Sequence, residues 1–454
     1  MRLKALRKVT LTDSSQQRKL DMERYYDALS SVELIKTHGK VTQVIGLTIE
    51  SEGPEVRVGD LCHIYPRSGG EPIRAEVVGF KNNKVLLMPI GDMSGIGPGC
   101  EVRSAGKPLS VPVGPGLLGR VLNGLGEPID NKGPYEVFAE YPLYNTPPNP
   151  ITKPRITEPL STGVRVLDGL LTFGKGQRLG IFAGSGVGKS TLMGMIARYT
   201  DADVNVLALV GERGRELRDF IEKDLGEEGL KRSVVVVATS DQPALVRMKG
   251  AYVGTAIAEY FRDQGKNVFF MMDSVTRFAM AQREVGLAIG EPPATKGYTP
   301  SVYAILPKLL ERSGTSDKGT VTGLYTVLVE GDDMNEPIAD QVRSILDGHI
   351  VLSRAIAAQN RYPAVDVLYS VSRLFPEVTS KEHKEAAGLM REVLATYKEK
   401  EDLINIGAYV DGSNAKVDYA KKMFPEVVDF LKQAVAEPSS YEETVGRMVR
   451  LMGG

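Results

Sequence analysis

The chain has 454 residues, more than one hydrophobic core normally supports, so we expect about two to four domains. Lys and Arg together number 56 and Asp and Glu number 57, a balance that indicates neither a nucleic-acid-binding nor a membrane-binding class. Cys62 and Cys100 lie far apart without the spacing of a metal site, and no apolar run is long enough to span a bilayer. We therefore expect a protein of the reducing cytoplasm.

The first pattern along the chain is an amphipathic helix before about residue 30. Met22, Tyr25, Tyr26 and Leu29 fall at helical spacing and share one face. No core precedes this face. We assign residues 1–30 to a partner-docking helix, with packing on the chain's own domain as an equally good alternative.

Short β-branched runs follow the helix. The predicted strands include residues 40–49, 75–80 and 84–89, with Gly, Asn, Asp and Pro between them. Short strands separated by turn residues favour a small β-barrel, which we place over residues 31–106. A proline-rich connection through Pro154 then leads into the next domain.

The central region alternates apolar strands with helical segments such as residues 243–262. The predicted strands cover residues 204–210, 233–239, 268–272 and 324–329. Buried parallel strands have this β-branched composition. We therefore predict an α/β P-loop domain over residues 107–376.

The last strand-like run covers residues 365–371, and helical spacing replaces the strand pattern after it. Thr379 and Glu382 form the pattern of a capping box, and the apolar residues that follow keep helical spacing. The C-terminal domain, residues 377–454, is therefore predicted to be α-helical.

The most specific motif is Ala-Gly-Ser-Gly-Val-Gly-Lys-Ser-Thr at residues 183–191, between an apolar strand and a helix. This is the context of a P-loop, in which backbone N–H groups and the helix N-terminus bind phosphate. Lys189 can reach the outer phosphates of ATP, and Ser190 can hold Mg²⁺. Ala183 replaces the usual first glycine, at a position that does not touch phosphate. The predicted nucleotide-binding residues of the loop are Gly184, Ser185, Gly186, Val187, Gly188, Lys189, Ser190 and Thr191.

Two of the predicted strands end in a carboxylate. Asp273 follows residues 268–272 in the Walker B arrangement, which orients Mg²⁺. Glu212 follows residues 204–210 and can polarise the water that attacks the γ-phosphate. On spacing alone, a charged surface loop is an equally good interpretation of Glu212 and its neighbour Arg213, which can pair with phosphate.

Two later residues are weaker candidates. Tyr362 can stack on a nucleotide base, although a packed core tyrosine is the commoner case. Arg373 lies just past the last strand-like run. It can act as an arginine finger, or it can simply be solvated.

Taken together, these stretches resemble the catalytic subunits of rotary ATPases and their relatives. The resemblance is carried by the order of the barrel, the Gly-Val-Gly-Lys-Ser loop, Gly-Glu-Arg-Gly-Arg-Glu at 211–216, Tyr-Pro-Ala-Val-Asp at 362–366 and Ser-Val-Ser-Arg at 370–373. Asp-Ser-Val-Thr-Arg-Phe-Ala-Met-Ala at 273–281 and Gly-Leu-Ala-Ile-Gly-Glu-Pro-Pro at 286–293 add to it. Within that group the chain most resembles the type III secretion export ATPases, in their flagellar form.

The resemblance implies a homohexameric ring that hydrolyses ATP with Mg²⁺ at sites between subunits. The implied roles are phosphate and Mg²⁺ binding for Lys189 and Ser190, catalytic glutamate for Glu212, Walker B for Asp273, phosphate-region arginines for Arg213 and Arg277, adenine stacking for Tyr362, and a finger given to the neighbouring site for Arg373. In the catalytic subunit of ATP synthase an aromatic follows the C-terminal helix equivalent to residues 430–433, whereas Ala434 and Val435 follow that stretch here. This difference leaves the enclosure of adenine and the base selectivity open.

The resemblance also implies a cytoplasmic enzyme, peripheral at the inner face of the cell membrane, that energises export of unfolded proteins. The implied partners are a peripheral-stalk-like regulator at the N-terminal helix, a coiled-coil central-stalk protein, the membrane export gate, and exported proteins with their chaperones, but no nucleic acid. The sequence does not distinguish a flagellar from an injectisome system.

Three alternatives compete with this interpretation. A non-catalytic, nucleotide-holding ring subunit lacks the carboxylate that Glu212 supplies. A ring-shaped RNA translocase resembling the transcription terminator Rho needs a basic, aromatic-bearing platform, whereas the barrel carries Glu50, Glu52, Glu55 and Asp60. The catalytic subunit of a rotary ATP synthase fits the fold, but not the details of the Gly-Val-Gly-Lys-Ser and Gly-Glu-Pro-Pro stretches.

Overall fold

The computed structural model of the chain describes Tyr25 and residues 38–453. The predicted amphipathic helix, with Met22, Tyr26 and Leu29, lies outside the described residues. Tyr25 alone of that face is described, and its side chain is exposed. Within the described ranges, no helix combines the length and the apolar character needed to cross a membrane.

The N-terminal strands close into a barrel in the order β1-β2-β5-β4-β3-β6. They are β1 (His38–Ile45), β2 (Thr48–Glu52), β3 (Asp60–Tyr65), β4 (Ile73–Lys81), β5 (Lys84–Pro89) and β6 (Glu101–Pro108). Alternate residues such as Val41, Ile64 and Val102 point inward and are buried, as the twofold period of a strand requires. The predicted barrel is therefore present.

The prediction of a single strand over residues 40–49 is wrong. The chain turns back at Gly46 and Leu47, so β1 and β2 form a hairpin with Ile45 opposite Thr48. Gly46 has a φ of 56°, a left-handed conformation that glycine adopts without steric cost. The β-branched composition on both sides of the glycine concealed this turn.

The central strands form one large sheet in the order β19-β18-β12-β17-β15-β13-β14-β8, and β16 pairs with β17. The remaining strands are β7 (Ser110–Val113), β8 (Arg120–Asn123), β9 (Ala139–Pro142), β10 (Pro159–Leu160), β11 (Phe173–Gly174), β12 (Arg178–Ala183), β13 (Val204–Val210), β14 (Ser233–Ala238), β15 (Asn267–Asp273), β16 (Gly314–Thr315), β17 (Thr320–Leu328), β18 (Gly348–Leu352) and β19 (Val371–Ser372). From β18 to β8 the neighbouring strands are parallel. Small pairs, β7 with β9 and β10 with β11, precede β12 along the chain.

Helices cover both faces of this sheet. They are α1 (Arg165–Leu170), α2 (Lys189–Tyr199), α3 (Gly214–Asp219), α4 (Gly226–Lys231), α5 (Ala244–Asp263), α6 (Val275–Ala288), α7 (Pro300–Leu310), α8 (Pro337–Ile345) and α9 (Arg354–Ala358). Along β13, Val206 and Ala208 join the core on one face of the sheet, while Leu207 and Leu209 join the core on the other. Strands buried on both faces have this continuous apolar character, and the P-loop α/β fold class is therefore confirmed.

The C-terminal part is helical, as predicted. It contains α10 (Phe375–Val378), α11 (Lys381–Asn405), α12 (Ala415–Leu431) and α13 (Tyr441–Gly453). Met390, Phe430 and Met448 from these helices share a core with Leu167 of α1 and with the central sheet. The helical domain therefore packs directly against the nucleotide-binding domain.

Two local predictions near this boundary are wrong. Residues 365–371 do not form a continuous strand. Among the described residues there, Val365 makes an isolated bridge to Leu352, and the two-residue strand β19 begins only at Val371. The cap of α11 is Ser380, whose hydroxyl accepts from the His383 N–H at 3.2 Å, and not Thr379. The Thr379 hydroxyl donates instead to the Phe375 carbonyl.

Candidate active site

The phosphate loop connects β12, which ends at Ala183, to α2, which begins at Lys189. Gly186 and Gly188 have φ values of 79° and 87°, conformations that other residues adopt only with strain. These two glycines turn the backbone into the N-terminus of α2, where unpaired N–H groups and the helix dipole favour an anion. Ser190, in the first turn of α2, is exposed and accessible.

The predicted carboxylates lie at the same edge of the sheet as this loop. β12, β17, β15 and β13 are neighbouring parallel strands, so their carboxyl ends meet. The Lys189 ammonium donates to Asp273 Oδ1 at 2.5 Å and lies 3.7 Å from Glu212 Oε1. The structure therefore brings Lys189, Glu212 and Asp273 together within one cluster.

The electrostatics of this cluster favour a proton-accepting carboxyl. Burial raises the pKa of Glu212 above its ordinary value, and the nearby charge of Asp273 raises it further. Lys189 and Arg277 oppose this shift of the pKa. A carboxyl with a raised pKa accepts a proton from water more readily than an ordinary one does.

Arg277 lies beside Glu212 and has the features of an anion ligand. A Cβ built on Gly211 would lie 2.7 Å from the Arg277 Cβ, so the arginine stem packs on that glycine. Its Nε is buried and makes no hydrogen bond to any described residue. A buried donor without a partner is costly, and a phosphate oxygen would satisfy it.

Tyr362 covers the phosphate loop. A Cβ built on Gly188 would lie 3.5 Å from Tyr362 Cε1, and the Tyr362 carbonyl accepts from the Gln433 N–H at 3.0 Å. Tyr362 borders an open cavity of about 520 Å³, which Ala434 and Lys432 also line. The tyrosine is 43% exposed, so it is not a packed core residue.

The family comparisons follow the same three-part division of the chain. Residues 41–106 match the beta-barrel domain of the ATP synthase alpha/beta family, and residues 163–372 match its nucleotide-binding domain. Residues 379–450 match the T3SS EscN ATPase C-terminal domain. This last match favours an export ATPase over the catalytic subunit of an ATP synthase.

Whole-length relatives agree with this assignment. The flagellum-specific ATP synthase of Bacillus subtilis (strain 168) is 59% identical over 94% of this chain and 98% of its own length. The type 3 secretion system ATPase of Xanthomonas euvesicatoria is 52% identical over 92% of this chain and 94% of its own length. The chain belongs to the flagellar and type III secretion ATPases. It is therefore an ATP-hydrolysing enzyme of protein export.

The fold of this export ATPase is that of a solved relative. The assembled ATPase EscN from the enteropathogenic E. coli type III secretion system matches with a TM-score of 0.86 and 46% identity, covering 91% of this chain and all of EscN. EscN has also been solved in complex with its central stalk EscO, and that structure matches with a TM-score of 0.85.

Arg373 of this export ATPase lies away from the phosphate loop. Its backbone N–H donates to the Asp347 carbonyl, just before β18 begins, whereas the loop follows Ala183, which pairs with Leu352 at the other end of β18. The strand from Asp347 to Leu352 spans roughly 17 Å at about 3.3 Å per residue. This is farther than one arginine side chain reaches, so Arg373 does not complete the site of its own chain.

Arg213 is also outside the tight cluster. It precedes α3, pairs with Glu216 at 3.6 Å, and its side chain is 76% exposed. Although Arg213 follows Glu212 in the sequence, its side chain is directed to the surface.

Sequence reasoning missed two residues at the site of this export ATPase. The Thr326 hydroxyl, on β17, donates to Asp273 Oδ1 at 2.5 Å. The only signal for Thr326 was a hydroxyl within an apolar strand. Arg354, the first residue of α9, lies against Gly184 of the loop, and no motif indicated it.

Proposed function

We propose that the chain hydrolyses Mg·ATP at the phosphate loop with Lys189, Ser190, Glu212 and Asp273. The observation that carries this proposal is the Lys189 ammonium held between the two strand-end carboxylates, 2.5 Å from Asp273 and 3.7 Å from Glu212. Lys189 neutralises the outer phosphates, while the loop N–H groups bind the remaining oxygens. The glycine conformations and the orphan donor of Arg277 fit such a polyanion.

The same residues fit a magnesium ion. Ser190 and Asp273 supply a hydroxyl and a carboxylate oxygen, ligands that this hard cation prefers. Bound Mg²⁺ would neutralise charge on the phosphate oxygens. Thr326 holds the Asp273 carboxylate in place through its 2.5 Å hydrogen bond.

Glu212 acts as the general base in this proposal. Its carboxylate orients the attacking water in line with the γ-phosphate and accepts its proton. The raised pKa of Glu212 supports this role. Arg277 contributes positive charge near the phosphates, and Tyr362 stacks on the base beside the open cavity. Arg213, which is directed to the surface in the single chain, would have to turn away from Glu216 to add its charge.

A complete site requires a neighbouring copy of the chain. We infer that Arg373 reaches the site of the next subunit as an arginine finger, since it cannot reach the loop of its own chain. The assembled state of EscN supports an assembly of this kind, which we propose to be a homohexameric ring. The complex of EscN with EscO supports a central-stalk partner, which we propose to be a coiled-coil protein.

We propose that this ATPase serves a flagellar export system at the inner face of the cytoplasmic membrane. The flagellar relative from Bacillus subtilis supports this choice over an injectisome. A regulator bound at residues 1–30, the membrane export gate, and exported proteins with their chaperones complete the proposed set of partners, and nucleic acid is not among them.

The test of the catalytic assignment is Glu212→Gln, which keeps the side-chain shape but removes the base. We expect kcat to fall by about 10²–10⁴, the contribution of a general base, with nucleotide affinity nearly unchanged. Glu216→Gln is the matched control, because Glu216 lies four residues further on and is half-exposed. Turnover of Glu212→Gln close to that of Glu216→Gln would show that the assigned role is wrong.

A further inference from the structure

Two side chains from the segment that follows β18 lie on glycines of the phosphate loop. A Cβ built on Gly184 would lie 2.6 Å from Arg354 Nη2, 2.9 Å from its Nε and 3.0 Å from its Cζ. Tyr362 approaches Gly188 less closely, with its Cε1 3.5 Å from a Cβ built there. The Arg354 guanidinium therefore lies flat against the first turn of the loop, while the tyrosine covers its last turn.

The position of Arg354 follows from the topology. β18 pairs with β12 on the side away from β17, β15 and β13, and Leu352 is the partner of Ala183, the last residue before the loop. Ser353 caps α9 by accepting from the Ile356 N–H, so Arg354 begins the helix directly beside the loop. Arg354 thus approaches from one side, and Glu212 and Asp273 approach from the other.

The backbone conformation that accounts for glycine at positions 186 and 188 does not account for the glycine at position 184. Gly186 and Gly188 adopt positive φ values, whereas Gly184 does not. Its backbone therefore accepts any residue, and the side chain that a Cβ would displace is Arg354. The absence of a side chain at position 184 makes room for the guanidinium.

We propose that Arg354 is a positioning residue for nucleotide binding. Its planar guanidinium packs on Gly184 and fixes the first turn of the loop, and its charge adds to that of Lys189 at the phosphate-binding edge. The residue is exposed, so replacing it should change the stability of the fold little. This inference rests on the proposed function of the loop.

The test compares Arg354→Ala, Arg354→Lys, Gly184→Ala and the Gly184→Ala/Arg354→Ala double variant. The measured quantities are the affinity for a fluorescent ADP analogue in the presence of Mg²⁺, and kcat and KM for ATP. Arg354→Ala should weaken binding and raise KM by about tenfold, because the first turn of the loop loses its packing partner and the binding edge loses a positive charge, with a smaller change in kcat. Arg354→Lys should recover most of the binding because the positive charge remains.

Gly184→Ala should weaken binding by a similar factor, because the new Cβ displaces the guanidinium. In the Arg354→Ala background the same substitution should lower the ADP affinity by no more than about twofold, because the effects of substitutions at residues in contact are not additive. Arg450→Ala, an exposed arginine on α13, is the control. Lys189→Ala tests the loop itself: unchanged ADP binding in that variant would reject the proposed site, whatever Arg354 does.

Two outcomes would overturn the role of Arg354 while leaving the site intact. The first is wild-type ADP affinity in Arg354→Ala. The second is an equal loss of ADP affinity on Gly184→Ala in the wild-type and Arg354→Ala backgrounds. The new Cβ would then act through a contact other than the guanidinium. Arg354→Lys binding no better than Arg354→Ala would contradict the charge part of the proposal.

Discussion

The phosphate loop and β19 belong to the same sheet but lie at opposite ends of its strands. The loop follows the carboxyl end of β12, and β19 pairs with the first residues of β18. At the loop, Lys189, Glu212 and Asp273 are in contact and partly buried. At β19, Arg373 is exposed and touches the sheet through its backbone. The difference teaches that one chain brings Lys189, Glu212 and Asp273 together, whereas Arg373, the arginine finger of our proposal, lies at the other end of β18.

The two ends also differ in their electrostatic surroundings. At the loop, positive and negative side chains compensate one another within a few ångströms. At the β19 end, burial lowers the pKa of His349 and so favours its neutral form, and the charges of Arg343 and Arg373 add to that effect. Arg343 is paired with Asp340 at 2.7 Å, whereas the Arg373 side chain is exposed and can meet an anionic group of a partner surface.

The largest effect is expected at the β19 end. Arg373→Ala should lower kcat by about 10³ or more, the typical contribution of an arginine finger, with nucleotide affinity of the single chain nearly unchanged. Arg343→Ala is the control, because Arg343 lies at the same edge and pairs with Asp340 at 2.7 Å. A fall in kcat of similar size in both variants would show that the loss of any positive charge at this edge lowers the rate, and that Arg373 is not a specific arginine finger.

A smaller effect is expected inside the loop cluster. Thr326→Val keeps the shape of the side chain but removes the hydroxyl that donates to Asp273. We expect kcat to fall by about tenfold, the equivalent of one lost hydrogen bond to a charged group. Thr255→Val is the control, since that buried hydroxyl donates only to the Ala251 carbonyl of its own helix. Equal kcat values in the two variants would show that Thr326 does not contribute to the site.

The smallest effect is on the pH dependence of turnover. The rate should rise with pH through the pKa of Glu212, which burial and Asp273 raise and which Arg277 lowers. Arg277→Gln removes an opposing positive charge, so the pKa should rise and the acidic limb should move upward by about half a pH unit. A limb that stays in place, or moves to lower pH, would show that the limb does not report Glu212. Arg218→Gln, at an exposed site, should leave the limb where it is.

Much of the fold and of the loop cluster could be predicted because both follow from local patterns. Lys189 lies in a contiguous motif, and Asp273 and Glu212 end or follow buried strands whose carboxyl ends meet at one edge. Such positions depend on sequence neighbours and on the parallel sheet, which the β-branched runs indicated. The barrel and the C-terminal helices were predictable for the same reason.

The remaining features depend on contacts between distant segments or on single residues. Arg354 reaches Gly184 only because β18 and β12 pair in register, which no local pattern reveals. Thr326 meets Asp273 across neighbouring strands. The turn at Gly46 and the cap at Ser380 each depend on one residue within a segment whose composition fits both interpretations.

The most direct test of the central claim is a mixing experiment with Lys189→Ala and Arg373→Ala chains. Each variant should be nearly inactive alone, because each lacks one half of every site. If Arg373 acts on a neighbouring subunit, rings assembled from the mixture contain interfaces with both residues intact, and ATPase activity should reappear in proportion to those interfaces. No recovery, with mixed rings confirmed by mass, would contradict the division of the site between two chains.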